Sequence, residues 1–111
     1  MEKNLNFGQA LEAVKEGKLI AREGWNGKRM FVFMRPEDEL TPEVVVNIVK
    51  SLPKTVKDWV YNNGPMVPLS ERTDNIKFTA YLCMKAADNT VVNGWLASQT
   101  DMLAKDWCIL D

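Results

Sequence analysis

KLIAREGWNGKRMFVFMR, residues 18–35, is the stretch on which the fold turns. Residues 18–23 and 29–35 are rich in strand-forming side chains, and GWNGK lies between them with Asn26-Gly27, the strongest short hairpin signal. The spacing predicts two antiparallel strands joined by a tight turn. The second strand is apolar through Met30, Phe31, Val32, Phe33 and Met34, which predicts burial on both faces, by core on one and by another subunit on the other.

Upstream, Phe7, Ala10, Leu11 and Val14 recur at helical spacing. Asn6 can cap, Gln9 three residues later completes a capping box, and Gly17 supplies the stop, so residues 7–16 are expected to form a helix packed on the sheet. Downstream, residues 41–52 open with a threonine cap, a first-turn proline and a glutamate, which predicts a helix despite three consecutive valines. Pro53 ends it. Residues 54–62 suit a short helical turn or a strand, and 62–75 read as loop.

A second hairpin follows. Residues 76–86 alternate so as to put Ile76, Phe78, Ala80, Leu82 and Met84 on a core face, Asp88-Asn89 makes the turn, and 90–96 returns. Asn93-Gly94 marks a bulge or close backbone approach. Ser98 stands three before Asp101, Thr100 can cap a short helical turn through Ala104, and Trp107 to Leu110 is a last strand. The expected fold is α+β: an antiparallel sheet of about five strands, an N-terminal helix on one face, and a helical excursion at 41–72, all in a single domain spanning 1–111.

Composition narrows the function. The chain has 111 residues, 14 basic against 15 acidic side chains, and no histidine. The charge balance lacks the cationic footprint of a protein that binds polymeric nucleic acid, while a small nucleotide needs only one or two cations and some backbone N–H groups. Without histidine the commonest general base, metal ligand and nucleophile activator are gone. The sequence contains no phosphate loop and no dinucleotide fingerprint, and Cys83 and Cys108 alone cannot build a zinc site. These points predict a binding protein rather than an enzyme, with no cofactor and no metal. No apolar run approaches the ~20 residues of a membrane span, and no leader pattern is visible, so a cytoplasmic location is expected. Both cysteines are expected as buried thiols, and the small core makes homo-oligomerisation favourable.

Several residues suit a nucleotide. Trp25, in the turn, is expected to lie out of reach of its own core, free to stack on a base or pack on a neighbouring subunit. Asn26 can read a base edge or satisfy the turn. Arg22 has the bidentate fork for a phosphate, although most strand arginines are solvated or paired at the surface. From Ala97 to Asp101, backbone N–H groups with the Ser98 and Thr100 hydroxyls suit a pyrophosphate and Asp101 suits ribose hydroxyls, or these residues only cap the turn. Trp95 and Trp107 belong to core or interface, and Met30, Met34, Met84 and Met102 to packing.

NFGQALEAVKEGK (6–18), AREGWNGKRMFVF (21–33) and MKAADNTVVNGWLASQTDMLAKDW (84–107) together resemble the Thoeris anti-defense 2 family of phage proteins. The resemblance implies a non-catalytic sponge, in the host bacterial cytoplasm, that holds the immune signal glycocyclic ADP-ribose. Family members are commonly tetramers with ligand pockets between subunits, and some also bind cyclic dinucleotides at a separate site. The implied partners are thus a small-molecule cyclic nucleotide and further copies of the chain, a tetramer being favoured, with no polymeric nucleic acid and no membrane. Two features depart from the family pattern: the 41–72 region is longer and more helical, and Asp88-Asn89 replaces the commoner Asp-Gly turn. A protein–protein inhibitor acting on a host factor through 41–72 is the competing function.

Overall fold

A computed structural model of the chain describes residues 2–110, apart from the side chain of Asn26, which lies outside the described residues. Its residues fall into two compact units, one running to Pro36 and resuming at Ala80, the other covering Glu37–Thr79.

The first unit is a six-stranded antiparallel sheet with a helix on it. β1 (Glu2–Leu5), β2 (Leu19–Arg22), β3 (Phe31–Arg35), β6 (Tyr81–Lys85), β7 (Val91–Asn93) and β8 (Trp107–Leu110) lie in the order β1-β8-β2-β3-β6-β7. Helix α1 (Phe7–Lys15) begins with the expected capping box. Asn6 Oδ1 accepts the Gln9 N–H at 2.8 Å, and Gln9 Oε1 accepts the Asn6 N–H at 2.9 Å. Gly17, at φ +92°, turns the chain out of the helix in the left-handed conformation that costs other residues a Cβ clash.

Register explains the core. Ile20 pairs with Val32 and Ile109, and Val32 with Met84, so these side chains share one face. Ala10, Ala13 and Val14 of α1 close on that face, around a fully buried Trp107 whose ring lies 5.5 Å from that of Phe7. Truncating such a tryptophan typically costs about 3–5 kcal/mol. On the opposite face Ala21 pairs with Cys108 and Phe33 with Cys83. Both cysteines are buried, as expected: Cys108 Sγ donates to the Ala21 carbonyl at 3.2 Å and Cys83 Sγ to Asn93 Oδ1 at 3.4 Å.

The second unit contains β4 (Asp38–Leu40), α2 (Pro42–Asn47), α3 (Lys54–Asn62) and β5 (Ile76–Phe78), with β4 and β5 paired in a separate two-stranded sheet. Thr41 caps α2 through Oγ1 to the Val44 N–H at 3.2 Å. Its anchor is a buried arginine. Arg72 grips Asp74 with two hydrogen bonds, Nε to Oδ1 at 2.9 Å and Nη2 to Oδ2 at 2.6 Å, and gives Nη1 to the Tyr61 carbonyl at 3.2 Å. Those bonds, outweighing desolvation, raise the Arg72 pKa and hold the Asp74 carboxyl below its ordinary range. Gly64 is required by this packing, because a Cβ there would overlap the Arg72 guanidinium.

The structure corrects several local expectations. The sheet gains β1, whose sequence EKNL carries no alternating pattern, as a sixth strand. The link between β2 and β3 is a 3-10 helix over Glu23–Lys28, with Arg29 in the left-handed region, instead of a tight two-residue turn. Helix α2 stops at Asn47, consistent with the low helix propensity of its valines, and 54–62 is fully helical. The strand expected at 76–86 is broken: β5 joins the small sheet, Ala80 is exposed, and only Leu82 and Met84 of the expected core face pack against the main core. Asp88-Asn89 does turn the second hairpin, with Asn89 at φ 69°.

Candidate functional site

β2 and β8 run side by side with Arg22 opposite Trp107, and this register builds the site. The Arg22 guanidinium projects past the end of the strand between two carboxylates, donating from Nε to Asp106 Oδ1 at 3.0 Å and from Nη1 to Asp101 Oδ1 at 3.0 Å. Both pairs are partly buried. Hydrogen bonds from Asp106 first, then Asp101, raise the Arg22 pKa against the cost of desolvation, so the arginine stays charged.

Asp101 is held from several sides. It sits in the first turn of α4 (Gln99–Leu103), where Ser98 is the cap: Ser98 Oγ accepts the Asp101 N–H at 3.0 Å, and Asp101 Oδ2 accepts the Ser98 N–H at 3.1 Å. Desolvation pushes its pKa up, but the bonds from Ser98 and Arg22 outweigh this and leave it below the ordinary range. Thr100 lies inside α4 and is not its cap, because Ser98 already occupies the capping geometry. Ala97 is half-buried just before that cap.

Aromatic rings complete the arrangement. Trp107 donates its indole N–H to the Asp101 carbonyl at 2.8 Å. Trp25 meets Trp107 edge-on at 5.4 Å and Trp95 at 6.3 Å, while Trp95 stands 6.5 Å from Trp107. The expectation that Trp25 is out of reach of its own core is therefore corrected, since the 3-10 helix turns the ring inward against the core cluster. It remains partly exposed, as does Trp95.

Arg22, two positions before the GWNGK segment, and Asp101 of the ASQTD segment, 79 residues apart in sequence, thus meet within one chain. Trp95, expected in core or interface, packs against the core cluster within the same arrangement, and Asp106 belongs to it too but was not singled out from sequence. The available signal for Asp106 was an acid immediately before a buried strand that borders Arg22. Chemically, the arrangement offers aromatic surface, a cation with donor positions beyond those used by its two acids, and hydrogen-bonding groups at the start of a short helix. Among the described residues no group of three or more His, Cys, Asp or Glu is placed to hold a metal ion.

The model of the Thoeris anti-defense 2-like domain matches residues 5–110. The chain is also 34% identical to Thoeris anti-defense 2 of Bacillus phage SP01 over 110 residues, covering 99% of each chain. It belongs to the Thoeris anti-defense 2 family. The match runs through both units, the 41–72 region included, and with 99% of each chain covered the expected extra length of that region is not present relative to the SP01 protein. Among the described residues, no helix of this Thoeris anti-defense 2 relative is long and apolar enough to cross a membrane.

Proposed function

We propose that the protein is a non-catalytic sponge that binds and sequesters a cyclic nucleotide immune signal, glycocyclic ADP-ribose, so that phage evades Thoeris defence. The observation that carries this is the meeting of the Arg22–Trp25 and Ala97–Asp101 segments through the 3.0 Å Arg22–Asp101 pair and the Trp25–Trp107 contact, in a chain of this family. In this reading the exposed part of Trp25 stacks on a base, with Asn26 beside it. Arg22, Ala97, Ser98 and Thr100 supply donors for the pyrophosphate, and Asp101 meets the ribose hydroxyls. Cyclic dinucleotides are a second candidate ligand class. The protein acts as a homo-oligomer, with a tetramer favoured. Support for self-association comes from the partly exposed Phe31 and Phe33 on the sheet face opposite α1.

Calorimetric titration with glycocyclic ADP-ribose tests the reading. The parent protein binds and returns the ligand intact after denaturation. Trp25→Ala weakens affinity about tenfold to a hundredfold, the worth of one base stack of roughly 1–3 kcal/mol. Unchanged affinity in a folded Trp25→Ala protein would place the ligand elsewhere, and a cleaved ligand would make the protein an enzyme. One observation favours a second reading, a protein–protein inhibitor: the second unit leaves Ile48, Trp59, Tyr61 and Met66 largely exposed, side chains typical of protein contacts. Signal-independent capture of a Thoeris protein, abolished by Trp59→Ala, is the outcome expected of that alternative.

A further inference from the structure

The two edges of the six-stranded sheet are built differently. At one edge β1 presents Glu2 and Lys3, carries Asn4 at φ 57°, and shifts register against β8 between Glu2 and Leu5. Charge and irregularity of this kind keep another strand from pairing there. At the other edge β7, Val91-Val92-Asn93, holds unbroken register with β6 and contains no charge and no proline. It lies in a twelve-residue stretch, 89–100, without a single charged side chain. Val91 and Val92 are each 46% exposed, and Leu96 just beyond is 88% exposed.

Backbone alternation decides which groups this edge offers. The Ala86 N–H donates to the Thr90 carbonyl at 2.8 Å, so Thr90 faces β6. With a period of two, Val92 also faces β6, while Val91 and Asn93 turn their N–H and C=O groups outward. Two residues spaced in this way are self-complementary under a two-fold rotation.

We propose that β7 pairs antiparallel with β7 of a second copy about a two-fold axis at Val92, joining two sheets into one. This rests on the self-association reading above and adds the surface through which it occurs. Val91 exchanges hydrogen bonds with the second copy's Asn93 and Asn93 with the second copy's Val91, so each outward backbone group gains a partner. The two Val92 side chains meet across the axis as a non-hydrogen-bonded pair, the closer of the two antiparallel spacings. The absence of charge in 89–100 removes the like-charge repulsion that a two-fold axis would otherwise impose.

Light scattering on the parent, Val92→Lys, Val92→Glu and an equimolar mixture of the two variants tests this. The parent runs above the 12.6 kDa monomer mass, each variant runs at half the parent mass, and the mixture returns to the parent mass because unlike charges then meet at the axis. Variants that keep the parent mass, or a mixture that stays dissociated, overturn the proposal. A parent that is monomeric at micromolar concentration overturns the self-association reading itself, whereas an oligomeric parent with unaffected variants overturns only the placement at β7. If circular dichroism shows a variant unfolded, amide exchange in the parent decides instead: the Val91 and Asn93 amides exchange as slowly as those of β6 if the edges pair, and open-strand exchange rules the pairing out.

Discussion

Removing Arg22 should cost far more than an exposed surface ion pair, and its coupling to Asp101 can be measured apart from its coupling to Asp106. Arg22→Met keeps the aliphatic stem but leaves two partly buried carboxylates without their cation. Hydrogen bonds to charged groups contribute about 1.5–3 kcal/mol each, and the remaining exposure of these side chains argues for the lower half of that range. We expect Arg22→Met, which loses both pairs, to destabilise the protein by about 3–4.5 kcal/mol. Asp101→Ala loses one of the two pairs and its part of the capping box, the latter worth about 0.5–2 kcal/mol, so it should cost about 2–4 kcal/mol. Because the two variants share the 3.0 Å pair, the double variant should fall short of the sum of the singles by about 1–2 kcal/mol. Ser98→Ala, which removes the cap and leaves the Arg22 pair, calibrates the capping share. Urea unfolding followed by tryptophan emission reads all four proteins, since Trp25, Trp95 and Trp107 surround the clamp. Additivity of the two single losses to within about 0.5 kcal/mol would show that the pair carries no stability of its own.

Two further outcomes are expected. Gly64→Ala should destabilise the second unit by about 1–3 kcal/mol, the usual cost of overpacking, because the new methyl displaces Arg72 from Asp74 and the Tyr61 carbonyl; hydrogen exchange in α3 reads the loss, and exchange unchanged from the parent would contradict it. Acid should also destabilise the protein. The folded pKa of Asp101 is depressed, so its contribution is fully present above the unfolded value of about 3.9 and is lost as pH falls through the lower folded value; Asp101→Asn should flatten that part of the stability profile measured by urea unfolding at stepped pH, and an unchanged profile would contradict the assignment.

Much of the first unit was legible because its signals are local. The capping box at Asn6 and Gln9, the glycine stop at Gly17 and the Asp88-Asn89 turn act within a few residues, and each is found where its chemistry places it. β1 was not legible, because EKNL becomes a strand only by pairing with β8, which lies at the far end of the sequence. The break between β5 and β6 was hidden for a related reason: alternation persists across Thr79-Ala80 although the two halves pair with different sheets. For the site, the residue types at Arg22, Trp25 and Asp101 were readable, whereas their juxtaposition was not, since it follows from the β2–β8 register. The inward turn of Trp25 depends on the handedness of a 3-10 helix that Asn26-Gly27 disguised as a tight turn.

The tryptophan cluster has an optical consequence. Trp25, Trp95 and Trp107 stand 5.4–6.5 Å apart with ring planes 73–88° from parallel. Indole transitions at such spacing mix, and their non-coplanar setting converts that mixing into an exciton couplet in circular dichroism, distinct from the backbone bands. The molecule therefore carries its own chromophore at the junction of the two segments proposed to bind the ligand. A ring drawn onto a ligand base would change the couplet while the backbone spectrum stays constant, so occupancy could be followed without a label.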